Sequence, residues 1–523
     1  TPVAQSRFTE TRGQAGQPLP FAGRSDSKSR TNYGRGHFSA VFDPTPKHTA
    51  GFDIEYTERS THMPTLSRTT LGQTQSDSRY RQHMGGNTLT ATANYIWKID
   101  TLGSQFKLIA DYTRYTSHGD NSYHTTTCAP GTLRDSLYES ATGSVYDILT
   151  ADAGLTRKLS HGLTLRAGLR YTRNGMADDS RYAAQMQGTW QALPEYGYDQ
   201  HYTEQIGAAY ASLEYSAGRW ELSAGLRGEY TSVASQAFGR SYFGLFPNVS
   251  VSRALNALRT WLLVAQWSRN IERPAFPALN PARIRISDYS WQSGNPSLRP
   301  TYIHRFSLTA VWKYRYTLTV GGNLHHDLIR EIAHRDATDP DAVYIRPENH
   351  YTENHWFVAA SVPAKITRWW NLSVNAVGVM QRIRLNSTDS PATHYLMFAD
   401  ATCSFTLPAG FFAEAAYRAQ SRLYSGNSEV GPRHTLSATV KKQFFGKRLT
   451  LFCTLSNITG CDWEFASLTD GMRRTIDARQ AWSGRLWKAG AAWNFRAGKK
   501  FRARTVESAA ETQRKRLVKS TEQ

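Results

Sequence analysis

Two histidine motifs and four cysteines are the residues of this chain whose types could do chemistry. His325 and His326 are adjacent, and on a strand adjacent side chains point to opposite faces, so the two imidazoles cannot close on one ion. His334-Arg335-Asp336 copies the letters of a kinase catalytic loop, but no glycine-rich loop or DFG accompanies it. Cys128, Cys403, Cys453 and Cys461 show no CxxC spacing that would build a zinc site, and read as isolated thiols or at most one bridge. GxSxG, HExxH and the P-loop pattern are all missing. The sequence therefore predicts no catalytic, metal or cofactor-binding residue: it does not read as an enzyme.

One stretch resists dismissal. Residues 269–300 read RNIERPAFPALNPARIRISDYSWQSGNPSLRP, with five prolines and two Asn-Pro steps. Each proline fixes its own φ, lacks a donor and pushes its predecessor towards extended backbone, so this is neither ladder strand nor helix. It is predicted to be an ordered irregular loop, with a tight turn at Gly294-Asn295-Pro296. Such a frame would present Arg283, Arg285, Tyr289 and Trp291 to a ligand at little ordering cost. A plainer alternative stays open, in which the prolines only shape strand ends and loop packing.

The elements that must position this loop show themselves by period-two alternation. In 163–171, Leu163, Leu165, Ala167, Leu169 and Tyr171 share one face, and Thr164, Arg166, Gly168 and Arg170 the other. Segments 88–97, 220–230 and 316–324 alternate the same way. About nineteen such segments of roughly ten to fourteen residues fit between 35 and 496, longer than the five or six of soluble strands and matching the 9–11 of a membrane-crossing strand. Tyr95, Trp97, Tyr171, Trp220, Tyr230, Tyr316, Trp369 and Trp370 stand at segment ends, where interfacial girdles belong. Short turns alternate with long polar connections near 59–84, 117–144, 173–201, 270–301, 328–352 and 459–481, as outer-membrane barrels require. Mean hydropathy is −0.53 despite 12% aromatics, and apolar runs such as WLLVA (261–265) are far too short for a membrane helix. The net charge of +20 is spread along the chain, which fits a basic lumen or an anionic lipid surface better than nucleic acid. The expected fold is all-β, a transmembrane antiparallel β-barrel, with a large soluble β protein as the alternative. The expected divisions are an outer-loop remnant or linker (1–34), the barrel (35–497) and a basic C-terminal tail (498–523), disordered after about 500.

Arg273-Pro274, Leu279-Asn280-Pro281 and Gly294-Asn295-Pro296-Ser297-Leu298-Arg299-Pro300 resemble the RP…LNP…GNPxLxP signature of TonB-dependent outer-membrane receptors, in particular the Bacteroidetes-type outer-membrane β-barrel family. The IDTLGS turn near 99–104 and the ending around GKKF (498–501) are similar to that family too. Thr301 departs from the pattern, which carries an acidic residue there. The resemblance implies a 22-stranded barrel in the bacterial outer membrane that imports an unidentified ligand. It also implies as partners outer-membrane lipid and lipopolysaccharide, a plug domain and the TonB energy-coupling complex. The plug lies outside this sequence, so Thr1 is expected to be an internal cut and the first strand, near 35–43, to present an open edge. The rival is a plug-free porin or structural barrel.

Overall fold

The computed structural model describes residues 3–12, 19–160, 162–236, 238–287, 289–336, 342–461, 463–469, 472–479, 485–495 and 506–517. Among these, nineteen antiparallel strands form a continuous wall, from Arg30–Thr45 through to Leu486–Trp493. Alternation decides which way each strand faces. On the strand Leu163–Met186, Leu169 is 64% exposed on the outside, while Thr172 and Asn174 are buried inside. Leu222, Leu226 and Tyr230 are likewise exposed outward, while Glu229 is buried in the lumen. Apolar residues outside and polar residues inside is the reverse of a soluble sandwich and the arrangement a bilayer demands.

The short connections cluster at one rim. At Lys313-Tyr314 both central residues take positive φ (52° and 54°) and the Arg315 amide reaches the Trp312 carbonyl at 3.1 Å. That is the primed turn whose twist matches the flanking strands. At the other rim the wall continues well beyond a bilayer. Strands His48–Leu71, Thr74–Lys98, Gln105–Ala129, Thr132–Ser160 and Leu163–Met186 run 24 to 29 residues, against the 9–11 that cross a membrane. The regions 59–84, 117–144 and 173–201, expected to be loops, are therefore mostly ladder, turning only at tips such as 72–73 and 130–131. Their outer face meets water in place of lipid, and their inner face buries polar and aromatic residues such as Thr69, Tyr80, Tyr123 and Ser140, so the strands continue without the apolar alternation that marks them lower down.

The segment 1–34, expected as a loop remnant, is also paired. Val3–Arg12 and Leu19–Lys28 form a hairpin that adds to Thr65–Leu71 on one side and to Arg474–Arg479 on the other. Through it the ladder runs around the outer rim, by way of Trp463–Thr469 and Ser428–Val430. Nearer the short turns no pairing between the first and last wall strands is present among the described residues. Among the described residues Arg30–Thr45 pairs only with its neighbour His48–Leu71, and Leu486–Trp493 only with Leu449–Ser456.

Above the membrane the lumen holds an apolar core of its own: Tyr146, Ile148, Met176, Tyr202, Val233, Phe276, Leu279 and Leu298. Three of these come from the proline-rich loop. The C-terminal tail departs from expectation as well. Residues 496–505 and 518–523 lie outside the described residues, but 506–517 are ordered inside the barrel, with short helical turns at Glu511–Arg514 and Lys515–Leu517.

Candidate functional site at the outer mouth

The loop 273–300 springs from a ladder pair, Trp261–Glu272 with Thr301–Trp312, and folds inward over the lumen. Its frame is set by backbone contacts. The amides of Gly294 and Asn295 donate to the carbonyls of Asn280 (2.9 Å) and Ala278 (2.7 Å), stitching the GNP element onto the LNP element. Glycine is required at 294 for this approach, not for an unusual φ: a Cβ there would stand 2.1 Å from the Asn280 oxygen. Asn280 Oδ1 accepts from the Ala282 amide (2.9 Å), and Asn295 Oδ1 from the Ser297 amide and hydroxyl. Pro277 opens the single turn Phe276–Leu279, where its missing donor costs nothing. Pro274, Pro300, Leu279 and Leu298 are buried, and Pro281 and Pro296 are half-buried.

Arg273 anchors the frame to the wall. Its side chain is 8% exposed, and Nη2 donates to Glu229 Oε2 (2.7 Å) and Thr231 Oγ1 (2.9 Å), while Nε lies 3.8 Å from Glu204 Oε1. Burial alone would lower its pKa; the facing Glu204 and Glu229 reverse that and raise it, so the guanidinium stays charged. Thr301, where the family pattern has an acid, is buried and donates to the Asp327 carbonyl (2.9 Å), while Arg299 pairs with the Asp327 carboxylate (2.6 Å).

Three of the four expected contact residues meet. Arg283 lies over Tyr196 (5.6 Å) and Trp291 (6.0 Å); Arg285 lies over Tyr138 (4.9 Å), Trp291 (5.4 Å) and Tyr123 (5.9 Å). Tyr196 and Trp291 are nearly parallel at 6.4 Å, so aromatic planes and guanidinium groups form one layered cluster. The Tyr182 hydroxyl donates to the Arg283 carbonyl, and Tyr182 borders a cavity of about 550 Å3 lined also by Arg81, Glu139 and Arg181. Tyr289 stands apart, edge-on to Phe21 at 5.5 Å. Nothing local marks Tyr138, Tyr182 and Tyr196: the first two come from the paired strands Thr132–Ser160 and Leu163–Met186, and Tyr196 from the short turn Pro194–Tyr196. Glu229 is legible as an inward residue of its strand; nothing in the local sequence marks Glu204.

The histidine motifs have ordinary structural partners. His334 stacks on Tyr344 and pairs with Glu348 at 3.0 Å. His325 and His326 diverge, one to the Glu353 carbonyl (2.8 Å) and the other towards Asp327. The lumenal arginines expected along the inner face are paired: Arg166 with Glu214, Arg170 with Asp152 and Arg227 with Glu229.

A model of the outer membrane protein beta-barrel family matches residues 97–487, about three quarters of the chain. The chain belongs to this family. As a member of the outer membrane protein β-barrel family it is a protein of the bacterial outer membrane. The ferric-catecholate import receptor Fiu of Escherichia coli K12, in its closed form, shares this fold with a TM-score of 0.53 and 9% identity, over 92% of this chain and 81% of that one. The siderophore receptors PiuA of Acinetobacter baumannii (TM-score 0.47, 9% identity, 92% and 82% covered) and PirA of Pseudomonas aeruginosa (0.44, 11%, 92% and 80%) are also similar. No curated protein matches the sequence.

Proposed function

We propose that this barrel is the membrane part of a TonB-dependent receptor that binds a ligand at its outer mouth and imports it. The reading rests on one observation above all. The signature loop is folded into the lumen and holds Arg283, Arg285 and Trp291 against Tyr196 and Tyr138, a rigid cationic and aromatic surface facing the long-strand side. Guanidinium groups layered on rings suit an anionic ligand with flat faces. A plug domain and the TonB complex would be the partners, and the outward apolar face would meet lipid and lipopolysaccharide. The lumenal loop core weighs against an open passive porin.

A ferric tris-catecholate complex is a fitting first probe, being anionic and flat-faced. It should quench tryptophan fluorescence on binding, and Arg283→Ala with Arg285→Ala should weaken binding at least tenfold. Cells carrying the full-length receptor should take the complex up only while the proton gradient stands. Absence of both binding and gradient-dependent uptake would refute import of this ligand class.

A further inference from the structure

The net charge of +20 is spread along the chain but not evenly over the molecule. In the lumen Arg166, Arg170 and Arg227 meet carboxylates, and at the long-strand rim exposed arginines such as Arg24 and Arg68 pair with Asp26 and Asp77. The short-turn rim is different. Four successive turns along the wall, at 217–220, 253–261, 312–316 and 365–370, hold no Asp or Glu. They carry Arg219, Arg253, Arg259, Lys313, Arg315 and Arg368, all exposed, and none of these six makes an ion pair among the described residues.

The first three of these turns are tied into one collar. Arg259 Nη2 donates to the Gly218 carbonyl (2.6 Å), the Ala254 amide to the Arg219 carbonyl (2.9 Å) and the Lys313 amide to the Thr260 carbonyl (2.6 Å). Tryptophans stand on the outward face at the strand ends. Trp220 and Trp261 open their strands, Trp312 closes its own, and Trp261 and Trp312 stack at 5.7 Å. Cations lie on these rings: the Arg253 guanidinium is 4.7 Å from Trp220, and Lys313 Nζ is 4.5 Å from Trp312. The arrangement recurs farther round the rim, where Lys442 Nζ is 3.9 Å from Phe411. A ring face positions a cation as a carboxylate would, but leaves its charge whole. The rim thus presents full positive charge at the height where the aromatic girdle divides hydrocarbon from headgroups.

We propose that this collar is a binding site for anionic glycerophospholipid, with Arg253 and Lys313 holding the headgroup phosphate and the girdle rings lying along the glycerol and upper chains. Short turns of an outer-membrane barrel face the periplasm, and the leaflet on that side is glycerophospholipid. Guanidinium and ammonium groups are the donors that phosphate takes. An unpaired row of them adds attraction for every headgroup with net negative charge. A zwitterionic headgroup brings its own ammonium into the same collar and loses that advantage. The collar lies outside the lumen, so the proposal is independent of what fills the lumen and of what the receptor imports.

The test uses the full-length receptor, purified in a nonionic detergent and offered equal amounts of phosphatidylglycerol and phosphatidylcholine with the same chains. Native mass spectrometry counts the lipids retained. The parent should prefer phosphatidylglycerol by at least about fivefold, the worth of one cation near a charged surface. Arg253→Gln with Lys313→Gln should bring the ratio to about one. Arg134→Gln, the same loss of charge at the opposite rim, should leave it at the parent value. A parent without preference, a double variant that keeps it, or an Arg134→Gln variant that loses it equally would each overturn the proposal. If the double variant does not reach the folded, heat-modifiable form, salt decides on the parent. Raising ionic strength from about 0.05 to about 0.5 M should cut the preference at least about threefold, because exposed charges are screened; a preference that salt leaves unchanged overturns the assignment. Excess glycerol phosphate should not strip the bound lipid, and stripping would show a site for free phosphate in place of lipid.

Discussion

The amide of Gly294 sits 2.9 Å from the Asn280 carbonyl, and that same oxygen fills the place a Cβ at 294 would need. Gly294→Ala must therefore push the GNP and LNP elements apart, an overpacking cost of about 1–3 kcal/mol. Trypsin should then cut after Arg283 or Arg285 in the variant while the barrel keeps its heat-modifiable mobility on gels. A loop as resistant as the parent's would show that the close approach is not what holds it.

The two faces of a wall strand should differ sharply in tolerance. Leu169→Arg puts a charge on the outward face of the bilayer-crossing part of its strand and should cost about 2–4 kcal/mol of folding into lipid vesicles. Arg166→Gln removes one half of a solvent-accessible lumenal pair with Glu214 and should cost under about 1 kcal/mol. Equal costs would argue against lipid on the outside.

Orientation can be read from thiols. Cys128 is exposed at the tip of the hairpin formed by Gln105–Ala129 and Thr132–Ser160, at the long-strand rim. A membrane-impermeant maleimide should label it in intact cells. With Cys128→Ser in place, Leu258→Cys in the opposite, short-turn rim should react only after the outer membrane is breached. The reverse pattern would turn the barrel over.

Asp178 gives a pH dependence. It is the sixteenth residue of its strand counted from the short-turn end, above the bilayer stretch, and it is 1% exposed. Burial pushes its carboxyl from an ordinary value near 3.8 up to about 6, and neither oxygen completes a hydrogen bond among the described residues. The folded state thus binds this proton more tightly than the unfolded state does. Stability from this group is greatest below about pH 4, falls as pH rises to about 6, and stays lower above that by on the order of 3 kcal/mol. Asp178→Asn should be more stable than the parent at pH 7.5 and nearly equal to it at pH 4, in thermal melts. A parent and variant with parallel pH profiles would contradict the assignment.

The wall was legible in the sequence because a bilayer forces one apolar face per strand, and Leu163 to Tyr171 show it within nine residues. The upper halves of the same strands were not. Around 117–144 the outer face meets water and the buried inner residues are Tyr123, Thr125 and Ser140, so no apolar face marks the strands, and the ladder that joins them is a backbone matter. The signature loop was legible as an irregular element with a needed glycine, though the need proved to be a close backbone approach and not a turn. It was expected to present Arg283, Arg285, Tyr289 and Trp291; the structure brings Arg283, Arg285 and Trp291 together and leaves Tyr289 apart, and the tyrosines beneath them come from segments distant in sequence. Arg516 reads as one basic residue in a basic tail, and only the folded chain sets it against Glu204.

That last contact spans 312 positions, and those of Ala509 and Glu507 span 398 and 400. Contacts so distant in sequence carry the largest loop-closure cost and form after local pairing has brought their partners together. The hairpins can zip one after another as neighbours, but residues 509–516 find Asp111, Asn174, Glu204 and Pro274 on one path only when the early strands and the signature loop already share a lumen. Residues 506–517 thus act as a gauge of completed assembly: an unfinished barrel has nowhere to put Arg516.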